Sequence, residues 1–212
     1  MRNHLVIILL ATVSSALQPL RSIGANIPKL SPINRVVSAQ VINNHRLIAV
    51  DRQDAEASFK LGVIKYDLGE RNAAMEAFDK AIEINPSYAK AYFNRGILKF
   101  DIHLYTEAIR DYSKAIEIDP KYAEAYYHRG IANFHEKQKL AAINDYNRAI
   151  EIKPDYARAY YHRSLARYSW GEKSGAVDDT RIAGQLGFKQ GDIDLGTKMA
   201  IQLRKWTKER GY

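Results

Sequence analysis

This chain contains an internal sequence repeat. Residues 125–154 (AYYHRGIANFHEKQKLAAINDYNRAIEIKP) match residues 91–120 (AYFNRGILKFDIHLYTEAIRDYSKAIEIDP) at a fixed distance of 34 residues. The matches include the Ala-Tyr start, the Arg-Gly and Asp-Tyr pairs, the Ala-Ile-Glu-Ile run and the closing Pro. A constant period in this range indicates stacked helical repeats, in which each unit buries its apolar face against its neighbours.

The same period extends in both directions and defines four units, at about residues 55–88, 89–122, 123–156 and 157–186. The fourth unit is the least regular, because it lacks the closing Pro and has Thr180 where the other units have an aromatic residue. Such divergence is expected where a repeat stack ends. The recurring positions are the closing Pro86, Pro120 and Pro154, the small residues Gly62, Gly96, Gly130 and Ser164, and the alanines Ala74, Ala108, Ala142 and Ala176.

Each unit is predicted to form two helices, which gives an all-α architecture. First helices are expected near residues 54–68, 88–102, 122–136 and 156–170, and second helices near 71–84, 105–118, 139–152 and 173–186. A residue before Pro avoids the helical backbone region, so Asn85, Asp119 and Lys153 should end the second helices. The small residue of each first helix should lie where the Ala and the aromatic residue of the second helix approach it.

These positions resemble the tetratricopeptide repeat. The resemblance depends on the first-helix aromatics Tyr92, Tyr126 and Tyr160, the small residue four places on, the second-helix Ala and aromatic, and the closing Pro. It covers residues 55–186, and unit one departs from it with Ser58 at the first aromatic position. The resemblance implies a right-handed solenoid of antiparallel helix pairs. It also implies a non-catalytic role, the binding of a partner peptide or protein on the concave groove.

The resemblance further implies which side chains line that groove, on the first helix of each unit. Aromatic side chains there would provide a large contact area at low cost in conformational entropy. The alternative is that some of these aromatics pack between helices. The expected groove residues are Phe59, Val63, Phe93, Asn94, Ile97, Tyr127, His128, Ile131, Arg158, Tyr161, His162 and Leu165.

Members of this family that hold a carboxyl-terminal carboxylate use a clamp of Lys, Asn and Arg side chains. Asn94 matches that clamp. Phe59 and Val63 stand where the clamp requires Lys and Asn, and Glu124 and His128 stand where it requires Lys and Arg. Recognition of a chaperone tail is therefore not expected.

Two positions change together from unit to unit. Unit one has Leu61 and Ala77, whereas each later unit has an Arg and an Asp. An Arg packed against the second helix would be partly buried, which is costly unless its charge is paired. Common descent of the units is the alternative explanation. The sequence predicts three salt bridges within units: Arg95–Asp111, Arg129–Asp145 and Arg163–Asp179.

The amino-terminal residues 1–16 have the pattern of a secretory signal peptide. A basic start precedes a short apolar stretch at residues 5–13, too short to cross a bilayer, and small residues come after it for cleavage near Ala16. An uncleaved anchor is the alternative. We expect export to a periplasm, a lumen or the cell exterior. The amino-acid sequences of the repeats also resemble those of exported bacterial, particularly cyanobacterial, proteins of this family.

The segments that flank the repeats differ from them in composition. Residues 17–50 contain three Pro and no acid, and predict a flexible basic linker, with a weak hairpin in 36–50 as the alternative. Residues 187–212 predict a capping helix, at 190–209, and a tail. Apolar residues at helical spacing there place Met199 and Trp206 in the core.

The net charge and the residues that could bind a metal or catalyse a reaction limit the classes of function expected. The net charge of +8 is concentrated in the two flanking segments rather than in one patch, so no nucleic-acid partner is expected. Weak contact of the basic tails with an anionic membrane surface remains an expectation. The chain has no Cys. His128 and His162 are equivalent residues of neighbouring units, roughly 10 Å apart by helix packing, with no third ligand at suitable spacing. No metal, cofactor or enzymatic activity is predicted.

The sequence best fits a protein–protein interaction adaptor or scaffold with a role in envelope or membrane-complex assembly, whose partner it does not identify. One alternative is a structural module that self-associates through an exposed repeat face. Another is a catalytic role of residues 17–50.

Overall fold

The computed structural model describes residues 54–208, and within this range the chain forms nine α-helices and no strand. The all-α fold class is confirmed, and the eight repeat helices end within three residues of their predicted ends. The odd-numbered helices α1 to α7 are the first helices of the four units, and the even-numbered helices α2 to α8 are the second helices. The helices are α1 (residues 54–67), α2 (Arg71–Ile84), α3 (Ala89–Asp101), α4 (Tyr105–Ile118), α5 (Ala123–His135), α6 (Lys139–Ile152), α7 (Ala157–Trp170), α8 (Lys173–Lys189) and α9 (Ile193–Lys208).

Neighbouring helices along the chain pack against each other from α2 to α9, and the first helices α3, α5 and α7 also touch in succession. The largest core cluster runs through units two to four and contains the fully buried rings of Tyr112 and Tyr146. One helix pair cannot bury its own apolar face, so the stacking of units makes this core continuous. The result is the solenoid of antiparallel helix pairs that the resemblance implied.

A close approach of the two helices explains the small residue in every first helix. A β-carbon on Gly130 would lie 2.6 Å from the ring of Tyr146, and one on Gly96 would lie 2.7 Å from that of Tyr112. Unit four has Ser164 at this place, fully buried, because its second helix presents the smaller Thr180 instead of a ring. The two changes in unit four therefore compensate each other.

Helix α9 covers the last helix pair. The Met199 and Trp206 side chains are buried, and the Trp206 indole stacks on the Tyr168 ring at 4.1 Å between centroids. Both were predicted as core residues, and this is confirmed. The helix begins at Ile193 rather than 190 because α8 extends to Lys189 and Gly191, with φ 78°, forms the turn between them.

Within residues 54–208, no helix has the length and apolar character needed to cross a membrane. The expected signal peptide at residues 1–16 and the expected basic linker at 17–50, with its hairpin alternative, lie outside the described residues.

Candidate partner-binding surface on the first helices

The expected groove residues all lie on first helices, but they differ in how much surface they expose. Arg158 is exposed, whereas Phe93 and Tyr127 are buried, with 8% and 6% of their surface accessible. We call Arg158 together with the half-buried residues of this set the groove surface. Those half-buried residues are Phe59, Val63, Asn94, Ile97, His128, Ile131, Tyr161, His162 and Leu165.

Phe93 and Tyr127 fill the contact between successive units, so their assignment to an open groove was wrong. The Phe93 ring lies 4.9 Å from that of Tyr122, which precedes the next first helix, and 5.2 Å from the His128 imidazole. Tyr127 repeats this arrangement with Tyr156 at 4.9 Å and His162 at 5.5 Å. The physical reason is that large rings gain more by filling a contact between units than by facing water.

The same aromatic contacts decide the charge of the groove surface. His128 and His162 lie among aromatic rings, and this burial lowers the pKa of each imidazole to about 4. Both rings are therefore neutral near pH 7, with one N–H donor and one acceptor nitrogen each. Among residues 54–208, no three His, Asp or Glu side chains lie close enough together to hold a metal ion.

The amide of the groove surface is already engaged, and charged groups lie at the edges of this surface. Asn94, the one residue that matches the family's carboxylate clamp, donates from Nδ2 to the carbonyl oxygen of Lys90 at 2.9 Å. Its amide is therefore held within its own helix. At the far end, the Lys198 ammonium of α9 lies 4.7 Å from the centre of the Tyr161 ring. The position that requires a clamp Lys is occupied by Glu124, whose carboxylate faces Lys153 at 3.9 Å.

The structure brings together the two residues of each expected Arg–Asp pair. Arg95 donates from Nε to Asp111 Oδ2 at 2.8 Å and from Nη2 to Asp111 Oδ1 at 2.6 Å. The three carboxylates are buried, with 2 to 7% of the side chain exposed. These interior salt bridges therefore join the two helices of a unit. The same two bonds join Arg129 to Asp145 at 3.0 and 2.6 Å, and Arg163 to Asp179 at 2.9 and 2.6 Å.

Sequence reasoning missed the remaining contacts of these groups. In each case Nη1 of the Arg bonds to the second helix of the preceding unit, and the Asp takes a further bond from the residue four places after the Arg. Both sets recur at the 34-residue period, which is the signal that would have revealed them. The Nη1 partners are Asp79 (2.6 Å), Ser113 (3.0 Å) and Asn147 (2.7 Å), and the further donors are Lys99 (2.7 Å), Asn133 (2.8 Å) and Arg167 (2.9 Å). We call these three recurring groups of contacts the arginine ladder.

Comparisons with known proteins agree with this architecture. A family model described as TPR repeat matches residues 64–102, 105–136 and 134–171, which together span half of the chain. No curated protein sequence matches the chain significantly. The crystal structure of the MamA protein is 26% identical to this chain, with a TM-score of 0.60 over 75% of this chain and 94% of that one.

Two further solved structures are similar. The TPR domain of Arabidopsis OM64 is 25% identical, with a TM-score of 0.55 over 56% of this chain and 98% of that one. YrrB, described as a TPR protein with an unusual peptide-binding site, is 19% identical, with a TM-score of 0.57 over 76% of this chain and 91% of that one. The likeness to YrrB shows the fold alone.

Proposed function

Since this chain belongs to the tetratricopeptide repeat family, we propose that it is a non-catalytic adaptor that binds a peptide or protein on the groove surface. Proteins of this family typically act by binding other proteins. The function proposed is therefore binding, with no chemical step assigned to any residue.

The observation that carries the proposal is a row of partly uncovered apolar side chains beside neutral imidazoles. Ile97 and Ile131 lie at equivalent places on α3 and α5, both half-buried against the core cluster. His128 and His162 lie near this row and carry no charge at neutral pH. When a partner covers apolar surface that is still partly in water, the free energy of the system falls, which favours binding.

This chemistry favours one class of partner. A segment with apolar side chains could cover Ile97 and Ile131, while the imidazole donor and acceptor meet its backbone groups. An acidic carboxyl-terminal tail is not the expected ligand, because Asn94 is engaged within its own helix and Glu124 stands at a clamp position. The partner is thus proposed to be recognised by apolar side chains rather than by a terminal charge.

We also propose that the chain works outside the cytoplasm, in assembly of an envelope or membrane complex. The support for this location is the signal-like composition of residues 1–16, and the basic flanking segments add weak attraction to anionic lipid surfaces. Amino-terminal sequencing of the protein from its native host tests it. A first residue near Leu17 supports export, and a chain that retains Met1 in the cytoplasmic fraction contradicts it.

The binding proposal is tested with a matched set of Ile→Glu substitutions. A partner captured by the full chain from native extract is purified, and its affinity for each variant is measured by calorimetry. Ile97→Glu and Ile131→Glu place a charge on the groove surface and should each weaken binding at least about tenfold, because burying an unpaired carboxylate is costly. Ile182→Glu, at a residue with 36% exposure on the second helix α8, is the control and should bind as the wild type does.

Circular dichroism of each variant shows whether the helices are intact. Equal losses for the control and the groove variants, or no loss for any of them, would place the partner elsewhere.

A further inference from the structure

The outer face of α1 carries exposed apolar residues, at two positions that are buried in the other units. Leu61, Ile64 and Leu68 expose 49%, 55% and 65% of their surface, and Ala57 is also exposed. Spacings of three and four residues place Ala57, Leu61 and Ile64 on one side of the helix, with Leu68 following on that side just after its end. In the later units the equivalents of Ala57 (Ala91, Ala125 and Ala159) and of Ile64 (Leu98, Ala132 and Ala166) have at most 1% exposed.

The reason for this difference is the stacking of the repeat. Leu98 is buried because Ala74 and Phe78, on the second helix of the preceding unit, pack against it. The same face of α1 has no such helix among residues 54–208. It is also fully apolar, because unit one has Leu61 where the later units have the Arg of the arginine ladder. This side of α1, which we call the stacking face, therefore has the shape and chemistry to receive another helix.

The opposite end of the described chain presents a matching surface. Helix α9 buries Met199 and Trp206 on one side and exposes Ile193 and Ile201, at 60% and 64%, on the other. Thr197 lies between these two isoleucines, so the three form a row four residues apart on the outer side of the helix. Within residues 54–208 no helix covers this row. A second apolar helix face is thus left open at the end of the stack.

Charge distinguishes the two faces and makes them complementary. Helix α1 has three acidic residues and two basic ones, whereas α9 has one acidic residue, Asp194, and four basic ones. Three of those, Arg204, Lys205 and Lys208, are at the carboxyl end of α9, and Asp54 is at the amino end of α1. In an antiparallel packing Asp54 faces the three basic residues and opposite helix-dipole ends meet, which outweighs the single like-charge approach of Asp67 and Asp194 at the other end.

We propose that the stacking face of α1 in one copy of this chain packs against α9 of a second copy, so that copies associate head to tail. The sequence one period upstream favours a second copy over a further repeat unit, since Gln40 and Asn44 stand where Ala74 and Phe78 supply the repeat's packing surface. An interface between two different surfaces of the same chain leaves one of each free, so the assembly grows beyond a dimer.

The expected association is weak and depends on concentration. A 14-residue helix such as α2 is about 21 Å long at 1.5 Å per residue, and α1 is of similar length. A contact between two such helices is smaller than a standard stable interface. We therefore expect a Kd in the range of about micromolar or weaker.

Sedimentation of the full chain over about a hundredfold range of concentration, around that Kd, tests the proposal. The mean mass of the wild type should rise with concentration beyond that of a dimer. Ile64→Asp on α1 and Ile201→Asp on α9 should each leave the chain monomeric over this range. Leu140→Asp, at a residue with 51% exposure outside both faces, is the matched control and should associate like the wild type.

Mixing the two variants gives the sharpest result. Ile64→Asp keeps an intact α9 face and Ile201→Asp keeps an intact stacking face, so an equimolar mixture should form a dimer and nothing larger. The proposal is overturned if the mixture stays monomeric or if the wild type is monomeric at every concentration. It is also overturned if Leu140→Asp abolishes association. Association that is lost only with Ile64→Asp indicates a symmetric contact and overturns the proposal as well. A last outcome also overturns the proposal: Ile64→Asp lowers the thermal midpoint but leaves association unchanged. The stacking face would then be covered within one copy of the chain.

Discussion

The salt bridge between Arg129 and Asp145 provides the most informative stability test, because unit one supplies an apolar version of the same site. Arg129→Leu with Asp145→Ala recreates the Leu61 and Ala77 of that unit. The Asp145 side chain is 7% exposed and that of Arg129 is 23% exposed, so both charges lie mostly in the interior. The Nε and Nη2 groups of Arg129 donate to the Asp145 carboxylate at 3.0 and 2.6 Å.

Each single substitution leaves a buried charge without its main partner. Asp145→Ala removes the acceptor of Nε and Nη2, leaving Arg129 only its bond to Ser113. Arg129→Leu leaves the carboxylate only the bond from Asn133 at 2.8 Å. Loss of one side of a buried pair costs about 3 kcal/mol, and we expect each single variant to lose about that much. The double variant should lose about 3 kcal/mol rather than 6, because it leaves neither charge buried, and the coupling is thus about 3 kcal/mol.

Urea unfolding of the four proteins, monitored by far-UV circular dichroism, measures the cycle, provided that the m-values agree. A second cycle on Arg148 and Glu151, whose side chains are 54% and 58% exposed, is the control. It should show a coupling of about 0.5 kcal/mol or less, as surface pairs do. Additive losses at Arg129 and Asp145 would mean that the two groups do not depend on each other in the folded chain, so no buried salt bridge would join them.

Local geometry gives three further predictions. Because burial lowers the pKa of His128 and His162 to about 4, the folded chain binds fewer protons than the unfolded chain below about pH 6.5. The free energy of unfolding should therefore fall as the pH drops from 7 to 4, by up to about 3 kcal/mol for each ring. Urea unfolding at each pH should show a smaller loss for a variant in which both His residues are replaced by Phe than for the wild type. Gly130→Ala, whose β-carbon would lie 2.6 Å from the Tyr146 ring, should cost about 1–3 kcal/mol in urea unfolding. Lys137→Gly should raise the thermal midpoint by relieving a φ of 61°, worth about 1 kcal/mol, and an unchanged midpoint would contradict this.

The architecture was predictable from the sequence because it depends on residues that recur. The period placed Gly130 opposite Tyr146 without any coordinates, and the paired change of Leu61 and Ala77 to Arg and Asp indicated a contact between two helices. Repeats allow such inference because one packing geometry is used several times. Trp206 lies outside the repeats, and the helical spacing of the apolar residues around it placed it in the core.

The groove residues were harder to predict, because the side of the helix on which a side chain lies does not determine how much of that side chain is exposed. Tyr127 and Tyr161 are equivalent in sequence, yet Tyr127 is buried and Tyr161 is half-buried. The difference arises from the element that comes after each unit: Tyr156 and His162 pack on Tyr127, whereas Tyr161 meets Lys198 of the capping helix. A sequence pattern cannot show this, because it depends on how neighbouring units and the cap approach.

Site-specific photo-crosslinking can show whether a partner binds on the first helices. A photoreactive phenylalanine analogue is placed at Ile131 on α5 or, as the control, at Ile182 on α8, in otherwise unchanged full chains. After irradiation with the captured partner, mass spectrometry identifies the joined residues. We expect a crosslink from position 131 to an apolar segment of the partner and none from position 182. A crosslink from position 182 alone would place the partner on the second helices and would exclude binding on the groove surface.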